Sequence, residues 1–154
     1  MERKDSPRIF FPPPLVFVTA LVLGLAVDGR LAAPPPAPLW LLAASALLIL
    51  AGLALPLSGL LIFLRRGARA EPWQGTDVMV TGGIYRFTRN PMYLGFALVY
   101  AGLALMFQSP AAGLLLVPVL AIVDRLVIAR EEAYLARRFG AGYDEYRRRV
   151  RRWL

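Results

Sequence analysis

The chain has 154 residues, 58% of them hydrophobic, and a formal net charge of +8 from 18 basic and 10 acidic side chains. Its mean hydropathy of +0.55 excludes an ordinary soluble domain of this size and makes the bilayer the expected solvent. With neither cysteine nor histidine, it has no disulfide, no thiolate or imidazole metal ligand and no histidine base, so no metal site is expected.

Read in chain order as a single domain over 1–154, the first apolar stretch is Leu15 to Val27. It becomes a span of about 11–30 if interfacial residues such as Phe10 and Phe11 join it. A cleaved signal peptide from Met1 to about Ala33 is the competing reading, against which "FFPPP" interrupts the start. The prolines of "PPPAP", residues 34–38, cannot continue a helix and suit a short outer connection. The second stretch, 39–64, would reach about 39 Å as a helix, with a kink expected at Pro56. A polar loop over 65–91 follows. Two further spans are expected at 91–108, where Tyr93 extends the entry, and at 110–130, before a cap at 131–154. Small residues at helix-packing spacing, Ala20 with Gly24 and Ala97 with Ala101, either let helices approach closely or are apolar filler.

Lys and Arg number three in residues 1–8, one in 28–38, five in 65–91, none in 108–110 and eight from Arg130 onward. Alternate loops are therefore basic, which places both termini and the 65–91 loop in the cytoplasm. Arginines beside apolar runs read as topology signals and contacts to anionic lipid, and nucleic acid is not an expected partner. The fold class is an all-α integral membrane protein with about four transmembrane helices and a C-terminal amphipathic interfacial helix. In "GYDEYRRRVRRWL", Tyr143, Tyr146, Val150 and Trp153 fall within about 80° on a helical wheel, and arginines occupy the remainder.

Polar residues concentrate at two places. The loop carries no GxGxxG after a strand and no GxxxxGK[ST], so a nucleotide-like ligand must be held another way. Gly82 and Gly83 allow a turn, Pro91 suits the first turn of a helix, and Asn90 falls near the cap with an amide free for a helix or a ligand. A capped entry into a membrane helix accounts for the same string. In "VDRLVIAREEAYLARRFG", Asp124 shares a helix face with Glu131, and Arg125 with Glu132, each pair about 20° apart. Asp124 sits at membrane depth, where an ionisable residue marks a functional site, a charge pair or, for the glutamates, a solvated helix end.

Together, "VTGGIYRFTRNPMYLG" and "REEAYLARRFGAGYDEYRRRVRRWL", one membrane hairpin apart, resemble the integral membrane methyltransferases of the isoprenylcysteine carboxyl methyltransferase and phospholipid methyltransferase superfamily. The resemblance covers about residues 77–154. It implies S-adenosylmethionine as methyl donor, bound on the cytoplasmic side under the C-terminal cap, and an apolar substrate entering from the membrane. By that resemblance the cofactor-binding residues are Val78, Met79, Val80, Tyr85, Arg89, Asn90, Pro91, Tyr93, Glu131 and Glu132, with Asp77 beginning the stretch. Two departures stand out. Asn90 replaces a histidine and cannot serve as a base, and its Asn-Pro-Met-Tyr string is similar to phosphatidylethanolamine methyltransferases. Val127 stands where prenylcysteine enzymes carry a substrate-binding arginine, so Arg125 or Arg130 would have to reach that space.

The expected activity is methyl transfer to a lipid amine, or to a lipid-linked carboxylate or thiol, with Glu131, Glu132 and Arg125 as the catalytic candidates. Such a displacement needs alignment more than a base. An NADPH-dependent membrane reductase of sterol-reductase type, whose dinucleotide phosphate asks for several basic contacts where the loop offers Arg86 and Arg89, and a non-enzymatic membrane scaffold are the alternatives. The location expected is the bacterial inner membrane, multi-pass.

Overall fold

A computed structural model describes residues 12–65 and 79–154, and every regular element among them is helical. The basic segment 1–8, Phe10, Phe11, Asp77 and Val78 lie outside the described residues.

Helix α1 runs Pro13–Val27, α2 Leu39–Arg65, α3 Pro91–Met106, α4 Pro110–Ile122, α5 Ala129–Phe139 and α6 Ala141–Arg149. Three of the six carry proline in the first turn, where its missing N–H is no loss and its fixed φ favours the helix. Pro56 lies within α2. Two helical runs are long and apolar enough to cross a membrane, Leu39–Ile62 and Pro110–Phe139; Pro13–Val27 and Pro91–Met106 are shorter apolar helices of 15 and 16 residues. Leu15, Val18, Leu47, Leu50, Leu53, Leu114 and Val117 are exposed, an outward apolar surface that suits lipid.

Helices in lipid gain little from burying apolar area against one another, so backbone approach and polar ties decide their packing. Along the α2–α3 seam, a Cβ on Gly52 would stand 2.7 Å from the Gly95 carbonyl oxygen, and one on Gly95 would stand 2.5 Å from Pro56 Cδ. Gly102 continues the seam, with the Ser45 carbonyl oxygen 2.9 Å from where its Cβ would be. Of the small residues singled out in the sequence, Gly24 packs its backbone against Ala112 of α4, and Ala97 is buried in the core. The tightest contact of α3 nevertheless runs through glycines. Phe17 of α1 packs its ring against Phe96 and Tyr100 of α3, with centroids 5.8 and 6.4 Å away. The Tyr100 hydroxyl donates to the Ala112 carbonyl at 2.9 Å.

At the end of the bundle where α1 stops and α4 starts, Asp28 closes the structure. Its Oδ2 accepts from Ser109 Oγ at 2.6 Å and from the Ala111 N–H at 2.9 Å, while Ser109 caps α4 by accepting from the Ala112 N–H. An apolar groove lined by Leu41, Ala104, Leu105 and Leu116, with Gln108 and Ser109, opens at this same end.

Between α4 and α5 the helix widens into a π segment, Val123–Ile128, and the Ala129 N–H reaches back five residues to the Asp124 carbonyl. A π segment inserts the equivalent of one residue into the helix phase. Position 132 therefore takes the angular place that position 131 holds in an unbroken helix, and Asp124 shares its face with Glu132 instead of Glu131.

The tail departs from a single interfacial helix. Gly140 takes a positive φ of 53°, which breaks α5 from α6. Helix α6 ends at Arg149, and Val150 is extended. Tyr143 and Tyr146 are buried against Val80 and Tyr85, while Trp153 packs on the core formed by α1, α3 and α4. The aromatic residues expected on one lipid-facing stripe are thus used inside the protein. Arg147, Arg148 and Arg149 remain exposed.

Candidate functional site

The polar end of the bundle forms where the chain enters α3 and leaves the π segment. Gly83, with φ 62°, starts a 3-10 turn Gly83–Arg86 that buries Tyr85, as the glycine pair suggested. Tyr85 reaches α2 at Gly59, where an added Cβ would lie 3.3 Å from the tyrosine hydroxyl. Burial first, then Tyr146 and Glu131, hold the Tyr85 hydroxyl well above the usual phenol range. Tyr146 donates to the Tyr85 carbonyl at 2.8 Å.

One turn into α3, Tyr93 donates its hydroxyl to Glu131 Oε1 at 2.6 Å, joining residues 38 apart in the chain. Glu132 faces two arginines. Its Oε1 lies 3.2 Å from Arg89 Nη1, and both carboxylate oxygens engage Arg152, Oε1 with Nε at 3.2 Å and Oε2 with Nη2 at 2.5 Å. Only 13% of the Arg89 and Glu132 side chains is exposed, so water screens this pair far less than a surface ion pair. Arg152 Nη1 also meets Asp124 Oδ2 at 3.0 Å, and Trp153 Nε1 donates to Asp124 Oδ1 at 2.9 Å. Those two carboxylates raise the Arg152 guanidinium further, with the Glu132 hydrogen bond the largest cause. Tyr143 is pushed up to about 12 by burial and then by Glu132, against an opposing hydrogen bond from Arg89.

The extended residues after α6 lie across the entry to α3. The Arg89 N–H donates to the Arg151 carbonyl at 3.0 Å. Thr88 Oγ1 and Asn90 Nδ2 both donate to the Arg152 carbonyl, at 3.2 and 2.9 Å. Asn90 does occupy the N-cap position of α3, but its side chain makes no cap bond; the amide is committed to the tail.

Of the residues expected at the site, Met79 and Val80 lie in one apolar cluster with Tyr85, Tyr143 and Tyr146. Arg89, Asn90, Pro91, Tyr93, Glu131 and Glu132 are brought together around the entry to α3. Arg125 is exposed, apart from this network, and Val127 is fully buried in the core. The sequence reading missed Gly59, Thr88 and Arg152. Glycine in an apolar helix and one arginine in a run of arginines carry no distinguishing local signal, whereas Thr88 stands within the quoted motif.

Among curated proteins, the chain is similar to the Protein-S-isoprenylcysteine O-methyltransferase of Schizosaccharomyces pombe, 37% identical over 73 residues, which are 47% of this chain and 31% of that protein. It is also 36% identical over 63 residues, 41% of this chain, to the whole of an uncharacterized protein of Haemophilus influenzae. The chain thus spans about a third of the length of the yeast relative. No solved structure matches it significantly. Residues 40–142, well over half of the chain and including all but the first residue of α2, with α3, α4 and the Tyr93–Glu131 pair, match the phospholipid methyltransferase family, and the chain belongs to that family of membrane methyltransferases.

Proposed function

We propose that this protein transfers a methyl group from S-adenosylmethionine to a lipophilic acceptor in the membrane, a lipid amine or a lipid-linked carboxylate or thiol. The observation that carries the reading is the pairing of Tyr93 with Glu131 across 38 residues, beside the Arg89–Glu132 pair, in a chain of this family. The side chains fit such a donor. Arg89 Nε is buried without a hydrogen-bond partner among the described residues, a donor available to a carboxylate. Glu131 supplies negative charge for a cationic amino group, and the rings of Tyr85 and Tyr93 stand close to it.

When bound, the donor supplies an electrophilic methyl on a sulfonium; the acceptor's lone pair forms the new bond as the carbon–sulfur bond breaks and a thioether leaves. What the protein contributes is alignment. Met79, Val80 and Tyr85 would form the apolar wall, Asn90 and Pro91 the turn into α3, and Tyr93, Glu131, Glu132 and Arg89 the polar wall. A thiolate or carboxylate acceptor needs no base, whereas an amine must lose a proton, for which Glu131, Glu132 or water would be the candidates. Arg125, being exposed, would act only on a substrate approaching from lipid.

The alternation of arginine-rich and arginine-poor loops supports a four-span, multi-pass arrangement with both termini and this site on the cytoplasmic side, as in a bacterial inner membrane. Calorimetry on the purified protein in detergent tests the site. S-adenosylmethionine should bind the wild type, and Glu131→Gln or Tyr85→Ala should abolish binding; unchanged affinity in both variants would remove these residues from the site.

A further inference from the structure

We infer that Arg152 and Asp124 are positioning residues, and that the extended segment around Arg152 is a strap that assembles the polar wall of the site. This rests on the methyltransferase reading above but assigns parts that reading does not use.

Glu132 cannot be set by its own helix alone, because a long carboxylate on α5 samples several rotamers. Arg152 fixes it by a two-pronged approach, Nε to Oε1 at 3.2 Å and Nη2 to Oε2, which the planar guanidinium fork favours. The same guanidinium is held from behind by Asp124 at 3.0 Å, and the neighbouring Trp153 donates to the other Asp124 oxygen at 2.9 Å. Asp124 can do this because the π segment turns it onto the Glu132 face. Glu132 then orients Arg89 at 3.2 Å, whose Nε remains unpartnered. The strap's backbone completes the arrangement. Carbonyls of Arg151 and Arg152 receive the Arg89 N–H, the Thr88 hydroxyl and the Asn90 amide, so the Thr88-Arg89-Asn90 string is fixed by the same five-residue segment that fixes Glu132. A chain of this kind acts only when each link is present. Its one feature that local helix packing does not require is a tail arginine bridging two carboxylates from different turns of the long helix.

The test is the affinity of the detergent-purified full chain for S-adenosylhomocysteine, with a thermal melt of each variant. Arg152→Ala should weaken binding by about tenfold or more, as expected when a charge-assisted contact that orients a binding group is lost. Arg152→Lys should recover part of the loss, since an ammonium reaches one carboxylate but cannot fork. Arg148→Ala, which removes an exposed positive charge from α6, should leave the affinity unchanged. Asp124→Asn combined with Arg152→Ala should cost less than the two single losses multiplied, because both act through Glu132. A purely structural tail predicts instead that Arg152→Ala lowers the melting temperature while folded protein keeps its affinity, and that result overturns the inference. If Arg152→Ala does not fold, Trp153→Phe, which keeps ring packing but removes the N–H to Asp124, should weaken binding several-fold, and unchanged affinity overturns the inference equally. Failure of the wild type to bind S-adenosylhomocysteine removes the methyltransferase reading itself, a result distinct from wild-type binding that is insensitive to Arg152.

Discussion

The two ends of the bundle use the same chemical group in different ways. At one end Asp28 ties α1 to α4 by accepting from Ser109 and the Ala111 N–H, and these contacts finish a helix cap. At the other, Tyr93 meets Glu131, and beside that pair Asp124 and Glu132 meet Arg89, Arg152 and Trp153 in a connected set of polar contacts. A helix end needs only a few acceptors or donors to be satisfied. Burying charges is costly, and replacing an ion pair by apolar residues often costs nothing, so stability alone does not call for the second arrangement. The proposed donor site accounts for polarity beyond what capping requires.

The largest expected effect comes from striking what both ends share. Gly95→Leu would force a side chain into the Gly52 carbonyl and Pro56, separating α2 from α3. A loss of about 3 kcal/mol or more is expected, at or beyond the upper end of ordinary overpacking, and both melting temperature and donor affinity should fall together. Next, Glu132→Ala leaves Arg89 and Arg152 without their shared carboxylate. About 3 kcal/mol is expected, the low end for a broken buried pair because 34% of the Arg152 side chain is exposed, and calorimetry should show donor affinity lost with it.

A smaller effect should appear at alkaline pH. Because folding raises Tyr143 from 10.0 to about 12, the unfolded chain loses this proton first as pH rises through that interval. The contribution is full below about pH 10 and is lost towards pH 12, so thermal melts should fall across that window and fall less steeply in Tyr143→Phe. The smallest effect belongs to the cap. Both hydrogen bonds, from Ser109 and from the Ala111 N–H, reach one Asp28 oxygen, so Asp28→Asn keeps an acceptor and loses only the charge that strengthens them. The melting temperature should fall slightly, with donor affinity at neutral pH unaltered by the substitution. If Asp28→Asn weakened donor binding as much as Glu132→Ala does, the division between a structural and a functional end would be wrong.

Much of this was legible in the sequence because it depends on local rules. Pro91 and Pro110 mark helix starts, and Gly83 marks a turn with positive φ. The joining of "YRFTRNPMY" to the two glutamates follows from a resemblance whose spacing the fold respects. The remainder depends on tertiary context. Asp124 pairs with the Glu132 network because a π segment shifts helix phase, and periodicity assumes an unbroken 100° step. Val150 and Trp153 lie on the same face as Tyr143 only if α6 continues past Arg149, which it does not. Arg152 differs from Arg148 only in where the folded tail puts it. Glycines 52, 95 and 102 form the tight seam although the pairs Ala20 with Gly24 and Ala97 with Ala101 were equally visible, since interhelical distance is set by both partners.

The most direct test of the central claim is to incubate the purified protein with S-adenosylmethionine carrying a labelled methyl group and a total membrane lipid extract, then to follow the label into organic-soluble product. The account predicts transfer that requires the protein and disappears in Glu131→Gln. Absence of transfer, with thermal stabilisation by NADPH and none by S-adenosylmethionine, would contradict it.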